Sequence, residues 1–161
     1  MILVFMGQPT SGKTTLCKEF FTWVKKGSNF PVRLHYLDGD KLRIIFQNKN
    51  YTREGRLQNL NLASNIAKYE KYLNDIVTLA LVYPYKEARD YLRELGEKVV
   101  FIYLHYDKDE NRGRENFWVE DFESPLGEEN VYPINTSQKS VDEALKEVIE
   151  IYRQHIKNIK R

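Results

Sequence analysis

The residues Gly7-Gln8-Pro9-Thr10-Ser11-Gly12-Lys13-Thr14-Thr15 contain the pattern G-x-x-x-x-G-K-T, placed directly after the apolar run Ile2 to Met6. A loop that wraps a polyphosphate needs inward-pointing backbone N–H groups, glycines where side chains would block the approach, and the positive end of a helix beneath it. Gly7 is expected to close the turn off a buried strand, and Gly12 to permit close backbone approach. Lys13 is expected to reach the β- and γ-phosphates of a nucleoside triphosphate, with the Thr14 hydroxyl placed to ligate Mg²⁺. Gly7 through Thr15 are therefore the expected nucleotide-binding residues, with Lys13 also catalytic.

A second cluster able to do chemistry is Leu37-Asp38-Gly39-Asp40-Lys41-Leu42-Arg43, at the end of a predicted strand. Open parallel sheets bind ligands beyond the carboxyl ends of their strands, so Asp38 and Asp40 should face the phosphate loop. One carboxylate can take or position the proton of an attacking hydroxyl while the other orders metal-bound water, which suits phosphoryl transfer to a small acceptor. Asp-Gly is also a common turn pair, and the bare string permits that plainer role. Two Asp flanking the glycine, with Arg43 one helical turn on, favour the chemical one. The predicted strand Ile76 to Val82, followed by Tyr83-Pro84, has no acid at its end, where switch GTPases and motor ATPases position metal. Asn48-Lys49-Asn50-Tyr51 breaks the guanine-reading N-K-x-D pattern at its Asp. Both departures point to ATP and away from a GTPase.

The elements that must position these residues follow from hydrophobic spacing. Short branched and aromatic runs at Ile2–Met6, Val32–Leu37, Ile76–Val82, Val99–His105 and Val131–Ile134 alternate with amphipathic segments. Helices are predicted from Lys13 to about Lys26, Arg53 to Tyr72, and Lys86 to Leu95 stopped by Gly96. A last one follows the capping box Ser140-Val141-Asp142-Glu143, with Val141, Leu145, Val148, Ile149, Tyr152 and Ile156 as its core stripe. The expected fold is a P-loop NTPase-type three-layer α/β/α domain over residues 1–161, with a mostly parallel five-stranded sheet. The polar stretch from Tyr106 to Asn130 is too long for a plain connection and is expected to act as a lid or binding segment.

Composition narrows the partners. Twenty-five Lys and Arg against twenty-three Asp and Glu leave a net charge of +2 with no block of one sign, so nucleic acid is not an expected partner. Apolar runs are strand-sized and the chain opens on a core strand without a charged leader, so neither a membrane span nor a signal peptide is expected and the cytoplasm is the default compartment. The single Cys17 falls on the apolar face of the first helix, as a buried small hydrophobe. His35, His105 and His155 show no metal-ligand spacing and are expected to pack or lie at the surface.

The phosphate loop, the L-D-G-D-x-x-R string, Tyr51-Thr52-Arg53-Glu54-Gly55-Arg56-Leu57-Gln58-Asn59 and Tyr83-Pro84-Tyr85-Lys86 occur in the order and spacing of the adenylylsulfate kinase family. The chain resembles that family over roughly its first ninety residues. Its members carry a G-F-S-x-x-D-R-x-x-N segment and an I-S-P-Y-R segment, and transfer the γ-phosphate of ATP to the 3′-hydroxyl of adenylylsulfate. The resemblance implies Asp40 as acceptor-side base with Asp38 in support, and Mg²⁺ with ATP. It also implies Asp40, Arg43, Tyr51, Arg56, Asn59, Tyr83, Pro84 and Phe117 as the acceptor-binding set. Tyr51 keeps a flat face for stacking on a base, and Phe117 is the match for a second face, with Trp118 or Phe122 as equal alternatives and a lid-packing role as the plain one. The family is often dimeric, so a homodimer is an expectation of the same kind.

Beyond Leu104 the pattern departs: the family's basic lid segment is replaced by a shorter run containing Arg112 and Arg114, which are the lid candidates for stabilising the transferring phosphoryl group. Gly55 stands in place of the family's Asp, and Tyr83 in place of its Ser. Three readings remain at this stage: an adenylylsulfate kinase, a kinase of another nucleotide conjugate such as cytidine diphosphoramidate, and a nucleotide-binding regulatory module.

Overall fold

The structure, a computed structural model, describes residues 1–27, 32–95, 98–107, 113 and 117–156. Strands β1 (Ile2–Met6), β2 (Leu34–Asp38), β3 (Ile76–Ala80), β4 (Val99–His105) and β5 (Val131–Asn135) form one sheet in the order β2-β3-β1-β4-β5. Every adjacent pair is parallel. Helices α1 (Lys13–Gly27), α2 (Gly39–Ile45), α3 (Arg53–Leu73), α4 (Lys86–Glu94) and α5 (Val141–Ile156) supply the connections and the outer layers.

All five β1 residues are buried, as a central strand covered on both faces requires. Alternation along it divides the core in two. Ile2, Val4 and Met6 pack with Leu60, Ala63 and Ala67 of α3 and with Ala88 and Leu92 of α4. Leu3 and Phe5 pack on the other face with Leu16, Cys17 and Phe20 of α1 and with Ala144 and Val148 of α5. Cys17 is buried there, and desolvation pushes its thiol up to about 12, which leaves it protonated and inert at neutral pH.

Strand order sets the site. The chain leaves β1 toward β2 and β3 on one side and returns to β4 and β5 on the other, so the crevice beyond the carboxyl end of β1 is the switch point where such sheets bind ligands.

Several boundaries differ from those predicted. β2 begins two residues later and runs on to Asp38, which is both its last residue and the N-cap of α2. The helix α2 replaces what the Asp-Gly pair suggests as a turn. The β3 ladder ends at Ala80, although Leu81 and Gly7 still exchange backbone bonds with Phe5 and Val82 across the gap. On α5 the capping box forms, Ser140 N–H donating to Glu143 Oε2 at 2.8 Å and Glu143 N–H to Ser140 Oγ at 3.3 Å. Of the expected stripe, Val148 and Ile149 are buried and Leu145, Tyr152 and Ile156 pack against the core; Val141 alone is exposed, and Ala144 is buried in the first turns. His155 is buried and shares a hydrogen bond with the Tyr132 hydroxyl, while His35 meets Glu70 and His105 stacks on Tyr103. Gly96 lies outside the described residues. Among them, no helix is long and apolar enough to cross a membrane.

Candidate active site

The loop after β1 has the backbone that its sequence demands. Gly7 has φ 144°, and a Cβ there would lie 2.1 Å from the Leu104 carbonyl oxygen; Gly12 has φ 94°. Thr10 is a non-glycine at φ 62°. That strained residue is braced from outside: its hydroxyl donates to the Pro9 carbonyl, and the Tyr106 hydroxyl bonds both the Pro9 carbonyl and Thr10 Oγ1 at 2.8 Å. The first turn of α1 contains no acid, so its N–H groups and dipole are uncompensated toward the loop. Lys13 reaches back over the loop, its ammonium donating to the Gln8 carbonyl at 2.6 Å.

Across the crevice, Asp38 is held by both oxygens. Oδ1 accepts from the N–H groups of Asp40 and Lys41 at 3.0 and 3.2 Å, and Oδ2 accepts from the Tyr36 hydroxyl at 2.8 Å. This N-cap starts α2 and places Asp40 in its first turn. Arg43, one turn on, spends Nη1 on the Asn48 and Asn50 carbonyls, both at 3.1 Å, and lies 4.3 Å from the Tyr51 ring centre. Arg56 donates from Nε to the Tyr51 carbonyl at 2.9 Å. Partial burial and the neighbouring Arg56 charge both pull the Arg43 pKa down. Neither arginine has a salt-bridge partner among the described residues. Asn59, three residues along the same face of α3, is buried with its Oδ1 lacking any hydrogen-bond partner.

These groups converge. One cavity of about 1070 Å³ is lined by Pro9, Thr10, Gly12, Lys13, Thr14 and Thr15 on one side and by Asp38, Asp40, Arg43, Tyr51, Arg56, Asn59, Pro84 and Phe117 on the other. Two guanidinium groups that form no salt bridge among the described residues and an orphaned buried amide oxygen line the same space, an arrangement that suits an anionic ligand bearing hydrogen-bond donors.

Other expected residues lie elsewhere. Tyr83 is fully buried, with φ 47° turning its ring into the core against Phe101, where its hydroxyl meets Ser64 Oγ at 2.9 Å. It does not line the cavity, so the acceptor-binding role implied for it is corrected. Gly7, Gln8 and Ser11 do not line it either. Gly7 and Ser11 are buried behind the loop, and the Gln8 amide is turned outward, bonding the Val119 carbonyl and N–H at 2.8 and 3.0 Å. Arg112 and Arg114 lie outside the described residues. Tyr51 and Phe117 line the cavity but contact each other edge to face, with ring centres 5.3 Å apart and planes at 61°. A base sandwiched between them needs parallel faces roughly 7 Å apart, twice a van der Waals contact, so Phe117 must swing outward for such stacking.

Three features escaped the sequence reading. Tyr36 lies two residues before Asp38, hence on the same face of β2, a period-two relation open to detection. Tyr106 braces the loop from a distance of 97 residues, beyond any local signal. The segment from Val119 to Glu129 is tied down by charges: Arg53 reaches Glu87 and Glu123, and Arg89 and Arg93 both reach Glu128.

Residues 1–116 match the profile of the adenylylsulphate kinase family. Over 113 residues the chain is 34% identical to the cytidine diphosphoramidate kinase of Campylobacter jejuni, covering 68% of this chain and 62% of that protein. Over 99 residues it is 32% identical to a probable adenylyl-sulfate kinase of Aeropyrum pernix, covering 61% of this chain and 52% of the relative. The chain thus spans between half and two thirds of the length of these curated relatives. The solved structure titled APE1195 superposes with a TM-score of 0.81 at 24% identity, covering 97% of this chain and 96% of that one, and shares the fold. With a profile match over most of its length on this sheet topology, the chain belongs to the adenylylsulphate kinase family.

Proposed function

We propose that the protein is an ATP-dependent phosphotransferase that moves the γ-phosphate of ATP to the 3′-hydroxyl of adenylylsulfate, giving ADP and 3′-phosphoadenylylsulfate. The observation that carries this reading is the single cavity in which Lys13 and Thr14 meet Asp38, Asp40, Arg56 and Asn59. Mere nucleotide binding would leave the second group without a purpose.

In this reading the loop N–H groups and Lys13 hold the phosphates. Arg43 and Arg56 hold the anionic part of the acceptor, and Asn59 Oδ1 accepts a donor from it. Asp40 takes the proton of the attacking hydroxyl as the new O–P bond forms and the bond from the γ-phosphorus to the ADP oxygen breaks. Mg²⁺ bound with ATP would supply charge neutralisation for the transferring phosphate. The Thr14 hydroxyl would ligate it and the Asp38 carboxylate would order its waters. Both are hard oxygen donors. Among the described residues no group of three or more His, Cys, Asp or Glu forms a cage, which fits a cation bound through few protein oxygens plus phosphates and water.

A second acceptor, cytidine diphosphoramidate, has a specific feature in its favour besides the named relative. Gly55 stands where the family segment has Asp, and a Cβ there would lie 2.4 Å from Asn50 Cγ. Asn50 fills the space of the replaced side chain, so the wall behind Tyr51 differs from the family pattern at the acceptor end.

Incubating the protein with ATP, Mg²⁺ and each conjugate in turn, and following ADP release, separates these readings. Release with adenylylsulfate alone supports the first and release with the cytidine conjugate alone the second. ATP binding without release from any acceptor overturns both in favour of a regulatory module. Arg56→Ala is expected to raise the acceptor KM by about 10- to 100-fold, the equivalent of one charge-assisted hydrogen bond at ~1.5–3 kcal/mol. The KM for ATP should stay unchanged. An unaltered acceptor KM would remove Arg56 from the acceptor site.

A further inference from the structure

The turn between α2 and α3 is tightly anchored on both sides of one lysine. Helix α2 ends in a Schellman arrangement, in which Gln47 N–H donates to the Ile44 carbonyl at 3.1 Å and Asn48 N–H to the Arg43 carbonyl at 3.0 Å. Gln47 takes a left-handed φ of 54° to close it, a conformation that costs a residue other than glycine. The chain is thereby folded back over Arg43. Nη1 of that arginine donates to the Asn48 carbonyl, to Asn48 Oδ1 and to the Asn50 carbonyl at 3.1, 3.3 and 3.1 Å. Asn48 Nδ2 ties the turn to the Gly55 carbonyl at 2.8 Å, and Asn48 Oδ1 also accepts the Asn50 N–H at 2.9 Å. Lys49 lies between these anchors and its side chain takes part in none of them. It is exposed, lines the cavity and forms no ion pair among the described residues.

We propose that Lys49 is a specificity-determining residue of the acceptor site, its ammonium holding the terminal anionic group of a nucleotide conjugate whose attacked hydroxyl lies at Asp40. This inference rests on the phosphotransferase reading and assigns a part of the acceptor that has no partner in it so far. Both candidate acceptors carry two anionic groups in series, an ester phosphate followed by a sulfate or a phosphoramidate. The cavity has cations to match. Among the described lining residues, Lys13, Arg43, Lys49 and Arg56 stand against two carboxylates, Asp38 and Asp40, and Lys13 belongs to the nucleotide wall. Arg43 and Arg56 lie 4.3 and 5.5 Å from the centre of the Tyr51 ring, which places both beside the surface on which the base would stack and suits them to the ester phosphate. Lys49 supplies the charge beyond them. Asp40 is in the first turn of α2 and the Lys49 turn follows its last residue, so roughly 8 Å of helix separates the hydroxyl end from the Lys49 end. An ammonium is a compact charge on a flexible four-carbon stem, which reads the charge of a tetrahedral group and not its flat geometry. Lys49 thus selects a conjugate over the corresponding nucleoside monophosphate, and it accepts sulfate and phosphoramidate alike.

The test compares each conjugate with its own monophosphate. Dissociation constants are measured by calorimetry for adenylylsulfate and adenosine monophosphate, and for cytidine diphosphoramidate and cytidine monophosphate, on the wild type, Lys49→Met and Lys49→Arg. Lys49→Met is expected to weaken the bound conjugate by about five- to tenfold, between an exposed ion pair and a hydrogen bond to a charged group. The monophosphate and a non-hydrolysable ATP analogue should stay within about twofold, less than the worth of an exposed ion pair. Lys49→Arg should restore most of the conjugate affinity. Added salt should shrink the wild-type preference for conjugate over monophosphate and leave that of Lys49→Met nearly unchanged. Equal losses for conjugate and monophosphate, or no loss for either, would overturn the assignment of Lys49, and ADP release from the conjugate in that case would leave the phosphotransferase reading standing. The selective loss in a protein that releases no ADP with any acceptor would do the reverse. A wild type that binds neither conjugate would overturn both.

Discussion

Asp40→Asn is expected to lower kcat by roughly 10²- to 10⁴-fold, the range for removal of a positioned general base, with the affinity for ATP changed by less than about threefold. The geometry separates this residue from the others nearby. Asp40 lines the cavity from the first turn of α2, and its backbone N–H bonds Asp38 Oδ1. That backbone bond is independent of the Asp40 side chain, so the helix start survives the substitution. Asparagine has nearly the same shape but cannot take a proton, which isolates the chemical role from packing. In the proposed function ATP is held by the loop of the opposite wall, so its binding should not register the change. Steady-state rates at saturating acceptor, with ATP titrated, provide the measurement. A variant that turns over within a few-fold of wild type would show that Asp40 does not act on the acceptor hydroxyl.

Sequence patterns make the local parts of this site legible and leave the long-range parts hidden. Gly7 and Gly12 are readable because backbone conformations at φ 144° and 94° exclude ordinary side chains, so the residue type itself carries the geometry. Arg56 and Asn59 are readable because a helical interval of three puts them on one face. The helix α2 is hidden because Asp38-Gly39 suits a turn and an N-cap equally, and only the bonds from Asp40 and Lys41 decide between them. Tyr83 is misread for a related reason. Its place at the head of the Y-P-Y-K string says nothing about a left-handed φ of 47°, which sends the ring to Ser64. The tethering of the Val119 to Glu129 segment is hidden altogether, since Arg53 and Glu123 are 70 positions apart and Arg89 and Glu128 are 39 apart. Charges at such separations look like surface decoration until the fold brings them together.

The same tethers explain why this acidic segment belongs to the site. Glu123 accepts the Lys86 N–H at the start of α4, and Arg53 stacks on Tyr85 with its ring centre 4.0 Å away while holding Glu123. At the other end of the segment, the Gln8 amide clamps Val119 to the nucleotide loop. Phe117, which faces Tyr51 across the cavity mouth, is two residues before that clamp. Its position relative to the acceptor is therefore set by ionic contacts on α3 and α4 together with one amide on the phosphate loop, which join both halves of the crevice.

Arg89→Ala is expected to destabilise the fold by about 3–5 kcal/mol, the cost of breaking a buried ion pair from one side. Arg89 is completely buried. It holds Glu128 through two nitrogens at 3.1 and 2.6 Å and the Tyr83 carbonyl at 2.9 Å. Truncation leaves the carbonyl unpaired and Glu128 with Arg93 alone, at 2.9 Å. For a chain of this size about 2–4 °C of melting temperature accompanies each kcal/mol, so a fall of roughly 6–20 °C is expected by calorimetry. The effect should depend on pH in a definite direction. Burial raises the Glu128 pKa, but Arg89 and Arg93 outweigh it and hold the carboxyl below its ordinary 4.5. A depressed folded-state pKa contributes stability that is present above about 4.5 and lost as pH falls through the folded value. The gap between wild type and Arg89→Ala should accordingly be full at pH 7 and narrow below pH of about 4.5 as Glu128 protonates. Combining Arg89→Met with Glu128→Leu should recover part of the loss, because both buried charges leave together and no orphaned charge remains between them. A single variant melting within about 2 °C of wild type at pH 7, less than one kcal/mol, would mean that water replaces the guanidinium and that the pair does not anchor the segment.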